Sequence, residues 1–188
     1  MSSSVQSDAR RRLTDEELQE RATELSRPIS LLDLSGVKVV GYLGLRVEDE
    51  WFCVPVSLVK EVRYKPRSSR VPFIPGFVSG LFNLRGEVMG LINLATLLAL
   101  GRGQTKIWNF GVLLNETESD VVTAGFLADE VCEVHPIGES AYERIPSTIP
   151  PDRARFFTQT FRCDNMSFTI LNVDNILSHP DLNPQSGD

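Results

Sequence analysis

From residue 37 onward apolar and polar positions alternate. Val37-Lys-Val-Val-Gly-Tyr-Leu-Gly-Leu-Arg-Val47 has the period of two that predicts a strand over 37–47. Glu48-Asp49-Glu50 is a charged turn, and Trp51-Phe-Cys-Val-Pro-Val56 is the return strand, with Pro55 at its end or on an edge. Pro66, Pro72 and Pro75 mark a loop over 64–76. Two apolar runs, 77–84 and 87–93, then flank Arg85-Gly86 and predict a hairpin. Gly86 supplies the positive φ of a tight reversal. Asn93 is placed to cap a short helix over 94–100, and Gly101 to stop it. Further strands are predicted over 107–114 and 121–134. A second proline-bearing loop follows over 136–151, then strands over 156–162 and 167–172, and a closing helix over 173–178.

Upstream the period is different. Thr14 and Glu17 form a capping box, Leu13 and Leu18 a hydrophobic staple, and Leu18, Ala22 and Leu25 share one face. A helix is therefore expected over 13–28, ended at Pro28. Residues 1–12 and 179–188 are polar and are expected to be disordered tails around a domain over 35–178.

Many short strands and few helices point to a barrel or sandwich class. An internal echo sharpens this. Val59-Lys-Glu-Val62 returns as Val131-Cys-Glu-Val134, and Leu91-Ile-Asn-Leu-Ala-Thr-Leu-Leu98 as Ile170-Leu-Asn-Val-Asp-Asn-Ile-Leu177. That spacing is too long for a solenoid and fits two related small barrels.

Composition narrows the function. A net charge of −6 and a pI near 5.0 argue against nucleic acid as a partner. Three widely spaced cysteines, Cys53, Cys132 and Cys163, fit buried thiols in a reducing compartment rather than a disulfide framework. No apolar run approaches the roughly 18 residues of a membrane span, and Arg10-Arg-Arg12 lacks the apolar neighbour of a secretory signal. A cytoplasmic protein without direct membrane insertion is expected.

No reaction suggests itself. Of the two histidines, His179 precedes Pro180 in the expected tail, where no walls exclude water. His135 ends a strand. Cys132 and His135 point to opposite faces of that strand, and Glu133 with His135 is too small a set for a metal. Asp129 and Glu130 are neighbours on a strand and diverge. Nucleophile motifs and phosphate-cradling glycine loops are absent. Neither a cofactor nor a metal nor an enzyme is expected. Arg85 is left unexplained, because a turn asks only for Gly, Asn or Asp. It is either a solvated turn residue or a cation presented to a partner.

Phe77-Val-Ser-Gly-Leu-Phe-Asn-Leu-Arg-Gly-Glu-Val-Met-Gly-Leu-Ile-Asn-Leu94 closely resembles the G-x-x-N-L-R-G-x-x-x-P-x-x-D-L signature of CheW-like domains, the coupling proteins of bacterial chemosensory systems. The 51–62 string, Gly125-Phe-Leu-Ala-Asp-Glu-Val-Cys-Glu-Val134 and 170–177 resemble other pieces of that family, in the same order. The resemblance implies a mainly β fold of two intertwined five-stranded SH3-like barrels. It implies an adaptor, not an enzyme. Its partners would be the tip of a methyl-accepting chemoreceptor, the regulatory domain of a CheA-type histidine kinase, and other CheW-like proteins. The adaptor would be recruited to membrane-bound receptor arrays. A receptor groove between the barrels would be lined by Val59, Glu61, Arg85, Val131 and Val134, with Asn83 and Gly86 shaping the hairpin turn. Val131 and Val134 need a bulge to reach one groove, or one of them is core. Gly90 stands where the family has Pro, Asn93 where it has Asp, and Ala128 where it has Val. Two other roles stay open: a decoy or inhibitor that binds a single array component, and a sensor of a small ligand between the barrels.

Overall fold

The structure is a computed structural model, and it describes residues 39–101, 108–115, 123–163 and 165–182. The helix expected over 13–28 and the tail over 1–12 lie outside the described residues. Ten strands form two five-stranded sheets. They are β1 (Val39–Val47), β2 (Glu50–Pro55), β3 (Val59–Tyr64), β4 (Val78–Leu84), β5 (Glu87–Ile92), β6 (Phe110–Leu114), β7 (Ala124–Ala128), β8 (Glu130–Gly138), β9 (Phe157–Cys163) and β10 (Met166–Leu171). Among the described residues three short α-helices accompany them: α1 (Leu94–Leu97), α2 (Pro151–Ala154) and α3 (Val173–Leu177).

One sheet runs β3-β6-β7-β5-β4 and is built from contiguous chain, the central barrel. The other runs β8-β1-β2-β10-β9, so both ends of the domain build the terminal barrel. Each has the same plan: three antiparallel pairings and one parallel pairing, β5 with β7 in the central barrel and β10 with β2 in the terminal one. The internal echo is therefore real architecture. It extends to single hydrogen bonds. Asn93 N donates to Phe77 O at 2.7 Å, and Asn172 N to Phe156 O at 2.8 Å. The Asn93 side chain accepts from Thr96 N, and that of Asn172 from Asn175 N.

The strands at the junction are buried on both faces. β6 and β7 are buried at every position, as runs of small and apolar residues that do not alternate. One apolar cluster fills the inner side of the terminal barrel with Tyr42, Cys53, Phe161, Phe168 and Ile170. The larger one starts on the opposite face of β1 and β2, with Leu43, Leu45, Phe52 and Val54, and continues through the central barrel. The barrels share a continuous core.

Two expectations change here. The single strand expected over 121–134 is two strands, because the chain leaves one barrel for the other at Asp129. That residue is buried. Its carboxylate accepts from Glu48 N at 2.9 Å, and its own N–H donates to Arg46 O at 2.8 Å. The proline loop expected from 136 starts later, since β8 runs to Gly138, and the unexpected helix α2 begins where it was expected to end. Pro55 ends β2 as expected.

Candidate functional site

The hairpin of β4 and β5 closes on the pair Leu84↔Glu87, which leaves Arg85 and Gly86 as its two turn residues. Both have positive φ, 53° and 97°. This is the turn whose twist matches that of the strands it joins. Asn83 completes it, its side-chain oxygen accepting from Gly86 N at 2.9 Å. The terminal barrel builds the corresponding hairpin on the pair Cys163↔Met166, with Asp164-Asn165 between. There the positive φ falls on Asn165, an ordinary choice. Each barrel thus closes a hairpin over two residues, and only the central one has an arginine there. A left-handed backbone costs an arginine about 1 kcal/mol, so the position is not chosen for stability.

Arg85 keeps 78% of its side chain exposed, and its Nη2 lies 3.3 Å from Glu61 Oε2. The other Glu61 oxygen is 2.5 Å from Arg63 Nε. Glu61, itself only 17% exposed, sits between two guanidinium groups. Lys60 and Glu87 pair beside them across β3 and β5. Exposed pairs of this kind contribute roughly 0–1 kcal/mol to folding. Their effect is to hold Arg85 over β3 with most of its guanidinium surface open to a partner.

Val59 opens the same strand and packs half-buried against the core. A register shift between Val59 and Glu61 interrupts strict alternation, so these two need not follow the ideal pleat. Val131 is the member of its pair that is core. It is 6% exposed and belongs to the shared core. The physical reason is register. β8 pairs regularly with β1 from Glu130 to Val134, and the bulge falls later, between Val134 and Ile137. Val134 lies on β8 opposite Tyr42; its side chain lies outside the described residues. Of the five expected residues, the structure brings Arg85 and Glu61 into contact, sets Val59 beside them, and gives Val131 to the core.

Three residues carry more than the sequence suggested. Arg63 extends the charged row. Asp129 pins the crossover between barrels, and Glu130 beside it pairs with Arg46 on the surface at 2.5 Å. That bond is the main reason the Arg46 guanidinium is held above its ordinary pKa. His179 has walls after all: its ring centroid lies 5.0 Å from that of Phe77 and 6.0 Å from that of Phe156, so it wedges between the barrels. Leu182 then packs on the core, so the described part of the C-terminal segment, to residue 182, is ordered onto the domain. The sequence signal for the wedge was the Phe77/Phe156 repeat itself.

Cys53 and Cys132 lie on either side of Gly44, on strands β2 and β8. Burial, and then the nearby Cys132, push the Cys53 thiol far above its ordinary value of 9.0. No thiolate forms there at neutral pH. Among the described residues no three His, Cys, Asp or Glu side chains converge as metal ligands, and no helix is long and apolar enough to cross a membrane.

A family model for the CheW-like domain matches residues 41–181. The chemotaxis protein CheW of Helicobacter pylori is 28% identical over 74% of this chain and 82% of that one. That of Bacillus subtilis is 23% identical over 76% of this chain and 88% of its own. The crystal structure of the scaffolding protein TtCheW from Thermoanaerobacter tengcongensis superposes with a TM-score of 0.62. It is 22% identical and covers 72% of this chain and 90% of that one. With twin barrels in the expected order, the hairpin signature at their surface and the family model spanning both, this chain belongs to the CheW-like domain family.

Proposed function

We propose that this chain is a chemosensory adaptor that couples a methyl-accepting receptor to a CheA-type histidine kinase. The observation that carries the reading is Arg85. A cation is held at a left-handed turn position that the other barrel gives to Asn165, over a carboxylate that orients it and leaves it exposed. An arginine presented in this way suits a carboxylate or carbonyl on another protein, which its planar fork engages at two points. The named relatives, all CheW proteins of chemotaxis, support the same reading.

The mechanism is contact, with no bond made or broken in this chain. The adaptor holds receptor tips and kinase regulatory domains in one assembly at the cytoplasmic face of the membrane. A change at the receptor biases the kinase through contacts that differ between its states. Val59 and Glu61 frame the receptor contact, and Arg85 is its anchor.

Calorimetric titration of a receptor tip fragment tests this. Arg85→Ala should weaken binding by roughly 1–3 kcal/mol, and unchanged affinity would return Arg85 to the solvated turn. Adding the kinase and following its autophosphorylation separates a coupler, which raises activity in the ternary mixture, from a decoy, which lowers it.

A further inference from the structure

Phe73 is the most exposed large apolar residue described, at 107% of its reference surface, and its φ is +62°. Both features are unfavourable. Aromatic side chains are ordinarily covered, and positive φ is given to Gly or Asn. The loop around the ring is cationic. Lys65, Arg67 and Arg70 lie within 65–76 with no acidic residue, although the whole chain carries −6. Arg67 and Arg70 are exposed and make no ion pair among the described residues. Ser69, between them, exchanges two backbone hydrogen bonds with Leu81, at 2.8 and 2.9 Å. The two arginines therefore sit beside the middle of β4, next to Leu81, which is itself exposed. Basic and apolar side chains share one patch.

The chain also carries a segment of complementary character. Residues 13–28 precede the family match, which begins at residue 41. They hold five carboxylates, Asp15, Glu16, Glu17, Glu20 and Glu24, against two cations, Arg21 and Arg27. In the helix expected there, Leu18, Ala22 and Leu25 form one stripe, and Glu17 and Glu24 run along its flank two turns apart. Acidic and apolar groups share a face of that helix, as basic and apolar groups share the patch on the loop. A helix this short is marginal in water without a surface to pack on. Reach is sufficient. The chain from Pro28 to Val39 extends to about 35 Å, against a radius of gyration of about 14 Å for a domain of this size.

We propose that the 65–76 loop is the seat of the chain's own N-terminal helix: Leu18, Ala22 and Leu25 cover Phe73 and Leu81, and Glu17 and Glu24 pair with Arg67 and Arg70. The contact is made within one molecule. The tether raises the concentration of the helix at the loop above that of any second copy. Pro72 and Pro75 restrict the backbone on either side of Phe73, and the Ser69–Leu81 bonds tie the loop to β4. The ring is therefore held outward before the helix arrives, which lowers the entropy lost on docking. The inference goes beyond the adaptor reading and does not depend on it.

The test uses the full chain. With p-benzoylphenylalanine in place of Phe73, irradiation should capture a peptide from residues 13–28 of the same molecule, read by mass spectrometry of the monomer. Capture confined to a covalent dimer assigns the surface to a second copy, and absence of capture leaves the ring uncovered; either overturns the proposal. Hydrogen exchange at amides 18–28 gives a second readout. It should quicken at least tenfold in Phe73→Asn, and likewise in Arg67→Glu with Arg70→Glu. Asn accepts the positive φ, so Phe73→Asn should keep exchange in β4 and β5 within twofold of the wild type, which separates lost docking from lost folding. Adding Glu17→Arg and Glu24→Arg to the two loop substitutions should restore the protection. Exchange over 18–28 that these changes leave untouched overturns the assignment, as does failure of the reversed charges to restore it. Neither receptor nor kinase enters the experiment, so its failure leaves the adaptor reading standing.

Discussion

At the scale of single residues, the hairpin shows which features a sequence discloses. Gly86 and Asn83 were legible because turn chemistry is local, and both act as expected. The contact between Arg85 and Glu61 was accessible through the family motif alone, since no periodicity joins residues on different strands. For Val131 the sequence left two courses open, groove or core, because its direction depends on where β8 bulges, and one residue of slip reverses a side chain. Gly80 offers a sharper test of backbone proximity. Its φ is +151°, and a Cβ there would lie 2.5 Å from Ser69 O. The neighbour is main chain and cannot swing aside. Gly80→Ala should destabilise the protein by about 1–3 kcal/mol, measured by urea unfolding. It should also disturb the loop that carries Phe73, since Ser69 is where that loop is tied to β4.

At the scale of elements, the sequence located strands well where turn residues bound them and less well where one apolar run passes directly into the next. β1 and β2 were found within two residues. β7 and β8 were merged, since a fully buried run has no alternation to show where it stops, and the break at Asp129 is imposed by a partner on β1's far turn. Helix α2 went unseen because prolines at 150 and 151 read as loop, although proline suits a first helical turn. The cap of α1, Asn93, is legible from the sequence alone, and its counterpart Asn172 emerges from the repeat. Asn93→Ala and Asn172→Ala should each cost about 1 kcal/mol. The caps belong to different barrels, Asn93 accepting from Thr96 N and Asn172 from Asn175 N, so the double variant should lose close to the sum in thermal or urea unfolding.

At the scale of the whole molecule, the twin-barrel plan was visible in the echo, but the interleaving was not. The pairings that create it join residues far apart, such as Arg46 with Glu130, and no local pattern announces them. The terminal barrel also sets the response to alkali. Burial, with the hydrogen bond to Tyr142 second, raises the Tyr42 phenol well above its ordinary 10.0, and burial raises the Cys53 thiol above 9.0. Both groups hold their protons more tightly folded than unfolded. Their contribution to stability is complete below about pH 9 and declines as pH climbs beyond it. Urea midpoints should fall between pH 9 and 11, and Tyr42→Phe should flatten the upper part of that decline. The placement of β1 and β2 has a further consequence, for biosynthesis. On the ribosome the β1–β2 hairpin emerges first, yet its partners β8 and β10 are made last: the Tyr42 hydroxyl meets that of Tyr142, 100 residues later. Throughout that interval the contiguous five strands of the central barrel are able to close while the hairpin waits with both edges bare. A circular permutant that joins the original ends and opens the chain before β3 would remove the wait. It would let each barrel mature in a single pass of translation.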